Sequence, residues 1–211
     1  MPLIGPRHGR LNKWKRCSTR CAKYGARPTP APPSVRPLNR TDIEGWALVA
    51  VDPKPFLSPG LRTSDWLDRS LPRLLEAEAS ARLKGDRLVH LDMRSDNLCF
   101  IGNRVVIVDW DNAALANPDL DLAAWAHSLH LEGGPPPEAL LPHAPSLAAL
   151  ISGYFAARAG LPPIPRAEGV RRVQLTQLRP ALSWTIRALG LSALEAPPGS
   201  RGRARKTDHN P

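Results

Sequence analysis

The chain has few cysteines, no acidic residues near its start and no long apolar run. Three cysteines in 211 residues cannot build a disulfide framework. No run of about 18 consecutive apolar residues occurs, so we expect no transmembrane helix and no membrane partner. The first ten residues lack the apolar core of a secretory signal. These features together predict a cytoplasmic protein.

Charge is distributed unevenly along the chain. Residues 1–40 carry ten Lys or Arg and no Asp or Glu, and residues 201–211 add a net charge of +3. Because the whole chain sums to +10, the residues between these ends sum to about −3. The high pI of 10.4 therefore describes the ends, and binding of nucleic acid to a folded basic face is not expected.

Composition divides the sequence into four parts. Residues 1–40 form a basic Pro-rich segment that we expect to be disordered. Two alternatives for it are an electrostatic arm for nucleic acid or anionic membrane, and sequence that arose from a misplaced start or a frame change. Residues 41–62 are expected to hold a short buried strand at 46–51 and an irregular linker. Residues 63–195 are predicted to be a helical lobe, and residues 196–211 a disordered basic tail.

Apolar spacing in the third part predicts helices separated by breaks rich in Gly and Pro. They cover residues 65–83, 119–131, 146–159 and 166–189. Pro72 and Pro180 are expected to kink or divide their helices. We interpret His127 and His130 as solvent-edge or hydrogen-bonded core residues rather than metal ligands. The fold class is therefore α+β and mostly helical.

A hairpin is predicted at the centre of the chain. Two short apolar runs flank the dipeptide Gly102-Asn103, which tolerates the positive φ angles of a tight turn. Such a hairpin brings Asn97, before its first strand, close to Asp109, after its second, while Asp92 lies on the loop leading in. Carboxylate and amide oxygens are ligands that Mg²⁺ prefers. Individually, these residues are also explained as turn formers or as a helix N-cap.

The motifs around this hairpin resemble those of the aminoglycoside phosphotransferase family, which has a kinase-like fold. Residues 90–97 read H-L-D-M-R-S-D-N, close to the family's H-G-D-L-x-x-x-N, and residues 109–110 read D-W. Downstream, residues 118–123 read P-D-L-D-L-A, similar to the family's P-x-x-D-L-A. This chain departs from the pattern at Leu91, where Gly is usual, and at Met93, where Leu is usual.

The resemblance implies a role for each polar residue of the motifs. Asp92 would be the catalytic residue that orients or deprotonates an acceptor hydroxyl, and Arg94 would face the transferring phosphate. Asn97 and Asp109 would hold Mg²⁺ on the phosphates of ATP.

Two further residues would support the site rather than take part in the chemistry. His90 would brace the loop, and Asp121 would tie that loop to the helix behind it. The resemblance covers about residues 43–192 and implies the C-terminal lobe of a kinase-like fold.

The other half of a kinase-like site is not visible in the sequence. No Gly-rich loop occurs, and no Lys stands in an apolar strand, so an N-terminal lobe is expected to be largely missing. The favoured function is Mg²⁺-ATP-dependent phosphoryl transfer to a hydroxyl of a small molecule, with weak nucleotide binding and low activity for the chain alone. The alternative is a non-catalytic pseudoenzyme or fragment that binds a ligand, or a partner covering the exposed inter-lobe surface. The acidic middle weakly favours a cationic acceptor.

Overall fold

The computed structural model describes residues 35–101 and 104–192. Predictions for the remainder of the two basic ends, and for the turn at Gly102-Asn103, lie outside the described residues. The helices are α1 (Arg40–Ile43), α2 (Trp46–Val51), α3 (Lys54–Leu57), α4 (Ser64–Ser80), α5 (Asp119–Leu131), α6 (Pro137–Leu140), α7 (Pro145–Ala156) and α8 (Gly169–Leu189). The strands are β1 (Arg87–Val89), β2 (Leu98–Ile101), β3 (Arg104–Ile107) and β4 (Ala114–Ala116), and a 3-10 turn covers Ser95–Asn97.

Helix α7 lies at the centre of the core. It packs mainly against α8 and α4, and its residues from Leu147 to Gly153 are all buried. Small side chains let its neighbours approach closely. A Cβ on Gly153 would lie 2.3 Å from Glu78 Oε1 and 2.7 Å from Trp46 Cδ1, so glycine is required where α2 and α4 meet α7.

The strand predicted at residues 46–51 is wrong, because this segment is the α-helix α2. Trp46 and Val49, three residues apart, are buried, whereas Val51 is 87% exposed. This is the spacing of one helical face. A short apolar run does not distinguish a strand from a helix segment.

The start of α2 is capped by a residue distant in sequence. The buried carboxylate of Glu78 accepts hydrogen bonds from the backbone N–H groups of Gly45 (2.8 Å), Trp46 (3.0 Å) and Ala47 (3.2 Å). Burial raises the pKa of Glu78, and these three N–H groups oppose the rise. The first turn of α2 therefore depends on α4 for its hydrogen bonds, which sequence inspection of α2 does not reveal.

The described strands form two small antiparallel sheets. β2 pairs with β3 in the register Leu98 opposite Ile107, which confirms the predicted hairpin. β1 pairs with β4, a long-range pairing that was not predicted. Leu115 of β4 also exchanges backbone hydrogen bonds with Arg36 and Leu38 (3.0 and 3.1 Å). Residues 36–38 therefore lie beside β4 in the described structure.

The long helices follow the predicted pattern with shifted ends. Thr63 caps α4, since its Oγ1 accepts a hydrogen bond from the Trp66 N–H (3.2 Å). Pro72 and Pro180 lie inside the continuous helices α4 and α8. The mostly helical α+β class is thus confirmed. Within the described residues, no helix has the length and apolar character needed to cross a membrane.

Candidate active site

The loop from β1 to the 3-10 turn is held against the first turn of α5 by one carboxylate. Both oxygens of Asp121 accept a hydrogen bond from the His90 N–H (2.9 Å each), and Oδ1 also accepts one from the Leu91 N–H (2.8 Å). A negative charge is favourable in the first turn of a helix. Asp121 therefore fixes the loop to α5, a contact consistent with the role that the resemblance implies.

His90 connects the same loop to the end of β3. Its ring is fully buried, and Nδ1 accepts a hydrogen bond from the Asp92 N–H (3.2 Å). Since Nδ1 accepts, Nε2 carries the proton and donates to the Val108 carbonyl (2.9 Å). The Trp110 ring lies edge-on, 4.8 Å from the imidazole centroid. His90 therefore links the Asp92 loop to the segment that carries Asp109.

Two residues beside the site have left-handed backbone conformations. Leu91 has φ 62° and Asp109 has φ 72°, a region that L-residues other than Gly, Asn and Asp rarely adopt. Leu91 occupies the position where Gly is usual in the motif. Backbone strain of this kind concentrates at functional sites, and here it precedes Asp92 directly and includes Asp109 itself.

Asp92 and Asn97 are in direct contact. The Asn97 amide Nδ2 donates to the Asp92 backbone carbonyl (2.8 Å) and to the Asp92 carboxylate Oδ2 (3.3 Å). The Val108 N–H donates to the Asn97 carbonyl (3.0 Å), so Asp109 follows immediately after the residue that bonds to Asn97. Burial raises the pKa of Asp92, while the positive charge of Arg94 and the hydrogen bond from Asn97 limit the rise.

A cavity of about 940 Å³ opens beside this loop. Asp92 and Arg94 lie on its wall, and Phe155 of α7 and Gln177 of α8 also line it. The Arg94 guanidinium donates to Asp96 (3.0 Å from Nε). Among residues 35–101 and 104–192, no group of three or more His, Cys, Asp or Glu side chains is arranged to bind a metal ion.

Sequence reasoning missed the cavity and the surroundings of His127, whose ring lies 5.5 Å from that of the cavity residue Phe155. His127 is a core residue, but its two ring nitrogens have no well-formed hydrogen bond in the described structure. Burial lowers the pKa of His127 to about 4, although weak contacts with the Ala123 backbone and the Gln177 side chain oppose the change. His127 is nevertheless fully buried, so it lies in the core, one of the two environments expected for it.

Comparison with known protein families decides the assignment. The sequence profile of the phosphotransferase enzyme family matches residues 19–160, more than half of the chain. The chain belongs to the phosphotransferase enzyme family. This confirms the resemblance to aminoglycoside phosphotransferases. The match begins before the expected residue 43 and ends before residue 192, and it includes all six motif residues discussed above. No curated protein matches the chain significantly. Phosphotransferases of this family generally use ATP and Mg²⁺.

Proposed function

We propose that the chain transfers the γ-phosphoryl group of Mg²⁺-ATP to a hydroxyl of a small molecule. One observation carries the proposal: the partly buried Asp92 lies on the wall of a 940 Å³ cavity and in contact with Asn97. A cavity of this volume is within the range of small-molecule sites. The family match supports the reaction class, and the site supports the acceptor's position.

Asp92 is the proposed acceptor of the hydroxyl proton. A general base works best when its pKa is closer to the working pH than that of an exposed carboxylate. Burial raises the pKa of Asp92 in that direction. The backbone N–H of Asp92 bonds to His90 and its carboxylate to Asn97 (3.2 and 3.3 Å), so both the loop and the side chain are held in place. Arg94 lies on the same wall, where its charge would face the phosphoryl group.

Asn97 and Asp109 are the proposed protein ligands of Mg²⁺. The Asn97 amide nitrogen is used in hydrogen bonds to Asp92, and no described residue donates to its Oδ1. That oxygen is therefore suited to a cation. Magnesium in phosphoryl-transfer sites takes one or two protein oxygens together with substrate phosphates and water, so a larger cluster of acidic residues is not needed. When bound, the ion would neutralise negative charge on the phosphates.

The proposal includes the assignment of the described helices and hairpin to the C-terminal lobe of a kinase-like fold. The order of a loop carrying Asp92 and Asn97, a hairpin, Asp109 and then a helix anchored by Asp121 supports it.

Turnover of ATP with a panel of hydroxylated acceptors tests the function. Asp92→Asn should lower the acceptor-dependent rate by about 10²- to 10⁴-fold, the range for loss of a general base. Asp86→Asn is the matched control, because Asp86 is exposed and precedes β1, away from the cavity. Equal rates for the wild type and Asp92→Asn would reject the proposal. Ligand binding by the wild type without any turnover would favour a non-catalytic binding protein instead.

A further inference from the structure

Arg94 and Asp96 form an ion pair with two hydrogen bonds beside the cavity. The Arg94 Nε donates to Asp96 Oδ1 (3.0 Å), and Nη2 donates to Oδ2 (2.5 Å). Two parallel bonds between a guanidinium and a carboxylate fix the plane of the guanidinium as well as its position. Asp96 therefore determines the orientation of a positive charge on the cavity wall.

The backbone that carries Asp96 is held on both sides. Asp96 is the middle residue of the 3-10 turn that follows the Asp92 loop. Before it, the Ser95 hydroxyl donates to Glu132 Oε2, just after α5 (2.5 Å). After it, the Asn97 carbonyl accepts a hydrogen bond from the Val108 N–H (3.0 Å). The Asp96 carboxylate thus extends from a turn whose two ends are fixed.

The pair leaves part of the Arg94 guanidinium for a ligand. Asp96 takes the edge formed by Nε and Nη2, and no residue in the described part of the chain accepts a hydrogen bond from Nη1. The five N–H donors of arginine form a rigid planar fork, so holding one edge determines where the other edge points. Arg94 lines the cavity together with Asp92, and a phosphate oxygen is an acceptor that suits the remaining edge.

A contribution to folding stability does not account for this pair. The side chains of Arg94 and Asp96 are 30% and 51% exposed, and ion pairs with such exposure contribute little to stability. Burial lowers the pKa of Arg94, but its hydrogen bonds with Asp96 and the nearby negative charges raise the pKa overall. The guanidinium therefore keeps its charge, and the main effect of Asp96 is on the direction in which that charge is presented.

We propose that Asp96 is a positioning residue for phosphoryl transfer, which orients the Arg94 guanidinium so that its remaining edge binds the γ-phosphate of ATP. The inference rests on the proposed function for ATP as the donor and for the role of Arg94. The sequence motifs gave no role to Asp96.

Equilibrium binding of two nucleotides by calorimetry, with Mg²⁺ and without an acceptor, tests the role of Asp96. AMP-PNP carries a γ-phosphate and ADP does not, so the ratio of their dissociation constants reports on the contacts of that phosphate. Arg94→Gln should lower the preference for AMP-PNP by about 10-fold, the effect of losing a hydrogen bond to a charged group. Asp96→Asn should lower it by at least about 3-fold, although removal of a negative charge alone would raise it.

Two comparisons separate the orientation of Arg94 from charge and from folding. In the Arg94→Gln background, Asp96→Asn should cause no further loss, because the side chain through which it acts is absent. Asp86→Asn is the control for the change of charge, since Asp86 is exposed and lies away from the cavity, and it should leave the preference unchanged.

Four results would overturn the inference. They are an unchanged or raised preference for AMP-PNP in Asp96→Asn, an equal loss of affinity for both nucleotides, a further loss in the double variant, and a wild type that does not bind AMP-PNP more tightly than ADP. Failure of the proposed function is distinguishable, because binding needs no turnover. Turnover that depends on Asp92, with an unchanged preference in Asp96→Asn, would reject only the role of Asp96.

Discussion

The backbone at Leu91 allows a substitution test in which glycine should give the more stable protein than alanine, the reverse of their usual effect on stability. Leu91→Gly and Leu91→Ala both remove every side-chain contact beyond Cβ, so their difference in stability reports mainly on the backbone. Alanine at φ 62° retains a left-handed penalty of roughly 1–2 kcal/mol. Glycine avoids that penalty but loses about 0.5–1 kcal/mol through the greater freedom of the unfolded chain. Leu91→Gly should therefore be more stable than Leu91→Ala by about 0.5–1 kcal/mol.

Urea denaturation followed by tryptophan fluorescence measures this difference. With a slope of roughly 2 kcal/mol/M, the midpoint of Leu91→Gly should lie about 0.3–0.5 M above that of Leu91→Ala. Leu88 in β1 provides the control, because it is exposed and is not among the described residues with positive φ. There the alanine variant should be the more stable one. An equal or higher midpoint for Leu91→Ala than for Leu91→Gly would refute the left-handed conformation of residue 91.

Three further predictions follow from single contacts. Asp121→Ala leaves the backbone N–H groups of His90 and Leu91 without their acceptor. It should lower the free energy of unfolding by about 2–4 kcal/mol in chemical denaturation, and a loss below about 0.5 kcal/mol would contradict the anchoring role of Asp121. Burial lowers the pKa of His127 from 6.5 to about 4, so the unfolded chain binds a proton more readily and stability falls as the pH drops from 6.5 to 4. His127→Phe should remove up to about 3 kcal/mol of that pH dependence, measured by chemical denaturation across this range. An unchanged pH dependence would refute the burial of a neutral ring. Gly153→Ala places a methyl group 2.3 Å from Glu78 Oε1 and should lower the melting temperature through overpacking of about 1–3 kcal/mol; an unchanged melting temperature would show that α2, α4 and α7 separate easily.

Local sequence signals were sufficient for the hairpin. The residues of β2 and β3 are largely β-branched or apolar, and a turn dipeptide lies between them, so the pairing needs no information from elsewhere in the chain. The family motifs then indicated which polar residues to examine. The structure brings Asp92 into contact with Asn97. The backbone of Val108 donates a hydrogen bond to Asn97, and Asp109 is the next residue along the chain.

Elements that depend on distant partners were not predictable in the same way. Helix α2 reads equally well as a strand, since its cap, Glu78, comes from α4. The β1–β4 sheet joins segments of three residues each that are separated by the whole hairpin. The cavity is lined by the Asp92 loop and by residues of α5, α7 and α8, so its volume cannot be read from any one segment.

The pH dependence of acceptor phosphorylation tests the central role of Asp92 most directly. Initial rates of phosphorylated product, measured by mass spectrometry at saturating Mg²⁺-ATP, would be compared for the wild type, Asp92→Asn and Asp86→Asn. Because burial raises the pKa of Asp92, kcat/KM of the wild type should fall on acidification with a midpoint above the ordinary value of 3.8, and Asp86→Asn should behave identically. Asp92→Asn should lose most of the rate together with that acidic limb. A variant that keeps both the rate and the limb would contradict the account.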